Sequence, residues 1–574
     1  MDGLRAEFLS PLQRADWTYD RAAHLLERAG FGGTPKEIER LAALTPEEAV
    51  ASLVDYAEID NSHLAAFEES GFWDPTLKDF PVSRPAATTL AETTGEAMGV
   101  QVKPAGARPL QPVTNRFFFW LRASVLETRR LGFWWVDRMV RTTRPLEEKM
   151  TLFWHGHFAT SEEKLRDYRK IKLQLETLRA GATGNFGALL VAVAKDPAML
   201  VFLDAAQNVK GAPNENFGRE VMELFTMGVG NYTEDDIREA ARAFTGWGND
   251  DLTFVVDPDK HDDGTKTFLG CTGNFTGEDI LRIILDQPQT AIYIASKLYS
   301  FFVREEISSG FASQLGALLL QNRYEIAPFL RTIFLSEDFY SEASTGTHIK
   351  SPTELLVSTY RKLGLAELPG IPDPYMVSKT LGQVLLYPPT VAGWGQGRAW
   401  ITPGLLFERG NFAREVMFPN MLDFVDPNHD AGGEVRRVNR NIIAGMEITA
   451  ATLEEGSALS SAAGIQETFN TRYASLVGYQ EALRKLKPTP RAAAQFSLSD
   501  IVTAEGATTT TEAVDALTRR LLRLPLSPPA REALIATLDE QLGTSQLAEA
   551  DTYMEHALRL VGHLIMSSPQ YQLA

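Results

Sequence analysis

The chain has 574 residues, a single cysteine and a formal net charge of −18 at pH 7. Hydrophobic residues make up 44% and charged residues 23% of the sequence, which is typical of a globular protein and excludes a mostly disordered chain. The acidic excess argues against nucleic-acid binding, because phosphate contacts need clustered Lys and Arg. One cysteine excludes an internal disulfide and a thiolate metal cage.

The opening residues, MDGLRAEFLSPLQRADW, contain no apolar stretch behind a basic leader. We therefore expect no signal peptide and a cytoplasmic location, with an exported or periplasmic protein as the alternative if a leader was removed. No window reaches the ~18 apolar residues of a membrane span. The most apolar window, residues 186–203, is broken by Lys195, Asp196 and Pro197.

Apolar residues at helical spacing predict a first helix over residues 19–29. Two Thr-Pro starts with acidic first turns predict further helices over residues 36–44 and from Thr45. Helical patterns dominate later segments, and the best strand candidate is residues 252–256. The fold class is therefore predicted to be mainly α, a large multi-helix body with long loops and at most a minor β-hairpin.

Composition shifts divide the chain into four parts. Residues 1–79 are predicted to be N-terminal helices that pack on the main body. Residues 80–114, rich in Pro, Gly and Thr, are predicted to be a loop or linker. Residues 115–418 would form the main helical body and carry a polar site. Residues 419–574 would form a C-terminal helical lobe with low-complexity insertions, such as residues 449–464.

The first polar segment whose residues are suited to catalysis or metal binding contains His155, Gly156 and His157. Two residues at i, i+2 lie on opposite sides of a regular helix. Gly156 indicates that the helix stops there, which would let both rings converge at its end. Imidazole is a common metal ligand. The alternative is a helix C-terminus stabilised by imidazole against the helix dipole.

The second segment is a polar string over residues 214–224. Asn214 is predicted to cap a helix on which Asn216, Glu220 and Glu223 share one face. Glu220 and Glu223 would then point inward as oxygen ligands or general bases. The alternative is a salt-bridged face, because Arg219 is correctly spaced to pair with both Glu215 and Glu223.

Two further segments follow. Thr233 and Asp236 predict a capping box, with Arg238 and Arg242 on one face that can meet an anionic substrate. Residues 257–270 begin like a calcium loop, but Gly270 stands where the closing Glu is needed, so an EF-hand is rejected. This loop instead offers His261, Asp262 and Lys266 to a site.

The leading hypothesis is a metal-dependent enzyme, with a hydrolase of unknown substrate as the favoured class, that uses a divalent metal such as zinc, iron or manganese. Its predicted metal ligands are His155, His157, Glu220, Glu223 and His261. Asp262 or Glu220 would be the general base, with Lys266 beside it. A helical di-metal oxidase is a variant of the same site.

A non-enzymatic scaffold or a partner- or carbohydrate-binding protein is the main alternative. The polar string would then be a buried ion-pair network, with ring stacking by Trp154, Trp247 and Trp394. Phosphoryl transfer by Asp204, Asn208 and Lys266 is disfavoured, since no Gly-rich phosphate loop precedes them.

Several segments, taken in order, resemble the bacterial family catalogued as domain of unknown function 1800: FWHGHF, DPAMLVFLD, PNENFGREVMELFTMGVGNYTEDDIREAARAFTGW, HDDGTKTFLG and YPPTVAGWGQGRAWI. The resemblance spans nearly the whole chain. It implies a large helical protein, often exported, with a phosphatase-like partner protein. Phe225 stands where relatives often have His, which removes a third histidine from that helix.

Overall fold

The structure, a computed structural model, describes residues 9–75, 93, 111–419, 471–490, 492–550 and 553–574. Within these ranges lie 23 α-helices and two short β-hairpins, so the predicted mainly α fold is confirmed. The first eleven helices are α1 Tyr19–Arg28, α2 Pro35–Ala42, α3 Pro46–Val54, α4 Gln111–Arg141, α5 Pro145–His157, α6 Glu162–Leu165, α7 Tyr168–Ala180, α8 Phe186–Ala194, α9 Pro197–Phe202, α10 Glu215–Glu223 and α11 Glu234–Ala243.

Four short strands follow, β1 Trp247–Asp250, β2 Thr253–Val256, β3 Lys266–Phe268 and β4 Cys271–Gly273. The remaining helices are α12 Gly277–Leu285, α13 Pro288–Phe302, α14 Ser309–Gln321, α15 Ile326–Phe334, α16 Pro352–Leu363, α17 Pro374–Leu381, α18 Pro403–Met417, α19 Thr471–Lys485, α20 Leu498–Ala504, α21 Thr510–Leu521, α22 Pro528–Leu542 and α23 Met554–Met566.

Side-chain caps explain where the N-terminal helices begin. Thr34 and Thr45 each accept a hydrogen bond from the backbone of the third helical residue, whose Glu side chain bonds back to the cap. A proline occupies the first turn of both helices. These capping boxes satisfy backbone N–H groups that a helix start leaves without partners. The predicted Thr-Pro helix starts are confirmed.

The strands pair as two separate antiparallel hairpins. In the first, Trp247 lies opposite Val256 and Asp250 opposite Thr253, which confirms the strand predicted near residues 252–256. In the second, Lys266 lies opposite Gly273 and Phe268 opposite Cys271. This second hairpin was not predicted, because strands of three residues are too short for an alternating pattern to emerge.

Parts of the predicted domain scheme lie outside the described residues. The loop predicted at 80–114 is described only at residue 93 and from Gln111, where α4 begins. The boundary predicted at 419 is followed by undescribed residues, and so are the low-complexity residues 449–464. The predicted main body, 115–418, begins within α4, one continuous helix of 31 residues.

Two large hydrophobic cores and a smaller third cluster around Phe72, Phe119 and Trp120 organise the described residues. In the first, α1 to α3 pack together with α5, α8 to α15 and the 3-10 turn at Glu337–Tyr340. In the second, α4, α7 and α16 to α18 pack with α20 to α23. The C-terminal helices therefore share a core with α4 and α16. Among the described residues, none of the helices is both long and apolar enough to span a membrane.

A buried ion cluster joins distant parts of the chain at Glu27, near the end of α1. Its carboxylate lies 2.8 Å from Lys362 Nζ, 3.2 Å from Lys350 Nζ and 3.3 Å from Arg523 Nε. Burial alone would raise the pKa of Glu27, but the three cations together hold it below its ordinary value. One carboxylate thus connects α1, α16 and the residues that follow α21.

We expect Glu27→Gln to lower the free energy of unfolding by roughly 3–5 kcal/mol, because it leaves three buried cations uncompensated. The control is Glu39→Gln, which breaks an exposed 2.9 Å ion pair between α2 and α21 and should cost at most about 1 kcal/mol. Urea denaturation at pH 7 measures both.

The sign of the pH dependence follows from the lowered pKa of Glu27. Its stabilising contribution is present above the pKa of ~4.3 of an unfolded glutamate and is lost at lower pH. The difference between wild type and Glu27→Gln should therefore shrink in acid. Equal effects of Glu27→Gln and Glu39→Gln at pH 7 would contradict the role assigned to this cluster.

Candidate functional site

His155 is a buried core histidine. Its Nε2 accepts a 3.0 Å hydrogen bond from the backbone N–H of Leu386. The ring packs edge-on against Trp135 and Trp394, with centroids 5.4 and 5.3 Å away. Burial lowers the pKa of His155 to about 3, so the ring is neutral at physiological pH. His155 therefore fastens a distant loop to α5.

His157 lies on the other side of the same helix. Its Nε2–H donates to the carbonyl of Phe225 at 3.0 Å, and its Nδ1 accepts from Lys297 Nζ at 3.3 Å. The helix continues through Gly156 and ends at His157, with Phe158 as its C-cap, so it runs one residue beyond the predicted stop and the two rings do not converge at its end. Regular helical rotation separates the two rings, and neither nitrogen of His157 is left for a metal ion.

The five predicted ligands do not converge on one position. Among the described residues, no group of three or more His, Cys, Asp and Glu side chains lies close enough to hold a metal ion. Glu223 accepts a 2.8 Å hydrogen bond from the Tyr232 hydroxyl. The half-buried Glu220 has a raised pKa, caused first by burial and then by the charge of Glu223.

The other polar residues of the α10 segment stabilise local structure. Asn214 caps α10 by accepting from the N–H of Asn216, whose own side chain donates to the carbonyl of Leu203. Arg219 pairs with Glu215 at 3.1 Å, as predicted. Its second partner is Glu234 at the start of α11, at 2.9 Å, and not the predicted Glu223. The polar residues of this segment therefore serve mainly to cap α10 and to connect it to α11 through the Arg219–Glu234 ion pair.

The loop at residues 257–270 is likewise held by ion pairs and hydrogen bonds. Arg242 forms paired hydrogen bonds of 2.8 and 3.2 Å with Asp262. Lys266 donates from Nζ to the carbonyls of Asp262 and Gly264, at 2.5 and 3.0 Å. His261 donates from Nδ1 to the carbonyl of Thr245 at 2.9 Å.

These contacts do not suit the catalytic roles predicted for the loop. The hydrogen bond from Arg242 lowers the pKa of Asp262 to about 2, and a carboxylate of such low pKa is a weak general base at neutral pH. Arg242 also meets Glu239 at 2.9 Å, so two carboxylates already compensate its charge. The Arg242, Asp262 and Lys266 side chains instead stabilise the conformation of the loop.

A cavity of about 370 Å³ lies beside His157; we call it the Lys297 pocket. It is bounded by α5, by α13, by the start of α16 and by the loop at residues 383–396. Its apolar wall includes Leu152, Phe153, Phe301 and Trp394, and its polar wall includes His157, Tyr293, Ser296, Lys297, Ser300, Glu305, Gln383 and Gln396. This volume is in the usual range of small-molecule sites.

Helix α13 presents one polar face to the pocket. Tyr293, Ser296, Lys297 and Ser300 follow one another at i, i+3, i+4 and i+7, which places them on one side of a helix. Ile292, at the edge of this face, packs closely on α14, where a Cβ on Gly316 would lie 2.6 Å from Ile292 Cγ1. The polar face itself is directed toward α5, where Lys297 Nζ meets His157 Nδ1.

Lys297 is the most unusual group in the pocket. Within the described part of the chain, its Nζ has a hydrogen bond only to His157 and no carboxylate within 4.0 Å. Nζ also lies 4.8 Å from the centre of the Tyr293 ring. Burial lowers the pKa of Lys297 to about 8. The neighbouring Ser296 Oγ is buried and has no hydrogen-bond partner in the residues described.

The loop at residues 383–396 closes one side of the pocket. Gln383 Oε1 accepts from the backbone N–H of Thr353 at 2.9 Å, and the N–H of Leu386 bonds to His155. Gly393 has a φ of 80°, and a Cβ there would lie 2.3 Å from the carbonyl oxygen of Gly156. Residues 156–158 (GHF) are therefore in contact with residues 392–397 (AGWGQG). The Trp394 side chain lines the pocket.

Sequence reasoning missed Lys297, Ser296 and Ser300, although it singled out His157 and Trp394. One signal was present. A lone lysine stands in the otherwise apolar stretch AIYIASKLYSFF, with Tyr and Ser residues at helical spacing around it. That pattern indicates a polar stripe on a buried helix, but it does not indicate which helix lies opposite.

The comparison with protein families gives a single result. The model of the family described as "Protein of unknown function (DUF1800)" matches residues 24–573. The chain belongs to this family. Neither the comparison with curated proteins nor that with solved structures found a match. All residues of the Lys297 pocket fall within the DUF1800 match.

We expect His155→Ala in this DUF1800 protein to lower the free energy of unfolding by roughly 2–4 kcal/mol, because it opens a cavity and leaves the N–H of Leu386 without its acceptor. Glu220→Ala should change stability by less than about 1 kcal/mol, since it also removes repulsion from Glu223. Denaturation and elemental analysis of each purified variant provide the measurements. If the wild type holds a stoichiometric metal ion and both variants lack it, the result would support the predicted metal site.

Lys297→Met should stabilise the unliganded protein by roughly 1–3 kcal/mol at pH 7. Folding lowers the pKa of Lys297, so the charged amine costs stability in full below the folded pKa of about 8. The cost disappears as pH rises through the unfolded value of ~10.4. Urea denaturation between pH 7 and pH 10.5 measures this convergence. The control is Lys210→Met, at an exposed lysine 3.7 Å from Asp263; a similar gain there would contradict the argument.

Proposed function

We propose that the chain binds a small anionic organic molecule in the Lys297 pocket. The observation that carries this proposal is a half-buried amine without a counter-ion among the described residues, placed in a cavity of ligand size. A charge taken out of water costs free energy unless it is paired. A bound carboxylate or phosphate group offsets that cost, since it forms a charge-assisted hydrogen bond with the amine.

The remaining walls fit an organic ligand better than a bare ion. Phe153, Phe301 and Trp394 offer apolar contact to a carbon skeleton, and Ser300, Gln383 and Gln396 offer hydrogen bonds to hydroxyl or carbonyl groups. Small-molecule sites commonly combine an apolar lining with a few polar groups in this way. Acidic sugars belong to this class, which keeps the predicted carbohydrate-binding alternative within the proposal.

Trp154 and Trp247, the other two tryptophans of that alternative, lie in the core. The Trp154 ring packs against both Phe158 and Phe186, with ring centroids 5.7 and 5.8 Å away. Trp247 packs edge-on against Phe244 at 5.0 Å. Both rings stabilise the fold and neither borders the Lys297 pocket.

The metal-dependent hydrolase stays a prediction. It is less well supported than ligand binding, because the imidazoles of His155 and His157 are engaged by Leu386, Phe225 and Lys297. The phosphatase-like partner, the exclusion of nucleic acid and the compartment also stay predictions. None of them bears on the argument for the pocket.

The test is a ligand panel of acetate, pyruvate, 2-oxoglutarate, inorganic phosphate, glucose 6-phosphate and glucuronate, with neutral glucose as the control compound. At a concentration of 100 Kd, a bound ligand stabilises the fold by about 2.7 kcal/mol. We expect at least one anion to raise the melting temperature of wild type and of Lys210→Met, and to have little effect on Lys297→Met. Titration calorimetry then gives the affinity.

The proposal fails if no anion distinguishes wild type from Lys297→Met. It also fails if Lys210→Met loses the same stabilisation, because the effect would then come from surface charge. Glucose that stabilises all three proteins equally would indicate a different site.

A further inference from the structure

We propose that Lys297 is a nucleophilic amine that forms an imine with the carbonyl carbon of a small aldehyde or 2-oxo acid. This inference rests on the proposed function and names the substrate class of the same pocket. Its basis is geometric: a primary amine, a neutral imidazole and a hydroxyl that has no partner among the described residues border one cavity.

The amine is placed as a nucleophile needs to be. An attacking lysine must lose its proton, and an adjacent carboxylate would hold that proton on it. Within the described ranges no carboxylate lies in ion-pairing distance of Lys297 Nζ. Desolvation also favours the neutral amine, in agreement with the lowered pKa.

His157 acts as a positioning residue for this amine. The donor bond from its Nε2 to the Phe225 carbonyl orients the ring, so the lone pair of Nδ1 points to Lys297 Nζ at 3.3 Å. One N–H of the amine is thereby directed at the imidazole. The nitrogen lone pair then has a defined direction relative to α5.

Ser296 offers a donor for the carbonyl oxygen. Helical serines usually satisfy their hydroxyl on a backbone carbonyl one turn earlier. The buried Ser296 Oγ has no such partner in the described structure, and it lines the same cavity as Lys297. A hydrogen bond to a carbonyl oxygen would polarise the bond that the amine attacks.

The reaction balances without any other reactant. The lone pair of Nζ forms a C–N bond to the carbonyl carbon, and the π electrons move to oxygen. A proton passes from nitrogen to that oxygen, which gives a carbinolamine. The C–O bond then breaks, and the oxygen leaves as water with the second proton of nitrogen. An amine and a carbonyl compound thus yield an imine and one water, with no change of oxidation state.

The experiment is reductive trapping of the full chain with glyoxylate, which carries both an aldehyde and a carboxylate, and sodium cyanoborohydride at pH 7. Reduction converts the imine to a stable carboxymethyl-lysine, which peptide mass spectrometry locates. We expect the label on Lys297 to exceed that on the exposed Lys210 by roughly tenfold or more. A pKa of about 8 gives a much larger neutral fraction at pH 7 than the ~10.4 of an ordinary lysine.

Lys297→Arg separates this proposal from anion binding. Arginine keeps the positive charge but stays protonated at all working pH values. We expect this variant to retain stabilisation by the anions of the panel and to give no trapped product at position 297. Ser296→Ala should lower the labelling rate of Lys297 severalfold while the affinity for acetate, which has no electrophilic carbonyl, is unchanged.

The outcomes are distinguishable. Anion binding that depends on Lys297, with glyoxylate label no greater than on Lys210, overturns imine formation and leaves the proposed function standing. Neither anion binding nor selective labelling overturns both. An unchanged labelling rate in Ser296→Ala contradicts the role given to that hydroxyl, and with it the geometric basis of the proposal.

Discussion

The arrangement of the molecule depends on the buried charge around α1. Glu27 binds Lys350, which precedes α16, and Lys362, which lies in the last turn of α16. It also pairs with Arg523, which follows α21. The next residue, Arg28, donates to the carbonyls of Phe301 and Phe302 at 2.6 and 3.0 Å. Two adjacent residues of α1 therefore hold α16 and the end of α13. Each of these charges is expensive to bury alone, so the ion pairs and hydrogen bonds favour the register in which every charge has a partner.

The same network reaches the Lys297 pocket. Glu354, on the first turn of α16, binds Lys149 of α5 and accepts from His348 Nε2 at 3.0 Å. Glu354 and His348 both border the cavity, but each is already paired. Lys149 of α5 thus has a carboxylate partner, whereas Lys297 of α13 has an imidazole partner. Because of this difference we assign a structural role to Lys149 and a bound ligand to Lys297.

Much of the fold could be predicted from local patterns. Capping boxes at Thr34, Thr45 and Thr233 occur where the sequence placed helix starts, because caps depend on residues three positions apart. The polar string of α10 was harder to interpret. Its spacing correctly gave the Glu215–Arg219 pair, yet Arg219 chose Glu234 over Glu223 as its second partner. The Arg219–Glu234 pair depends on how α10 and α11 pack, and the residue spacing within α10 alone does not determine that packing.

The site itself could be predicted only in part, for a related reason. His157 and Trp394 belong to recognisable motifs, but Lys297 is identified by the partners it lacks, and a missing partner is a property of the tertiary structure. A lysine in an apolar helix has two common explanations, a buried ion pair or a side chain that extends its amine to water. Lys297 does not fit the first, since among the described residues its amine pairs with no carboxylate, and its half-buried side chain ends in the pocket beside His157. Among the described residues no carboxylate lies within 4.0 Å of this amine, and a bound anion offsets the cost of leaving its charge unpaired.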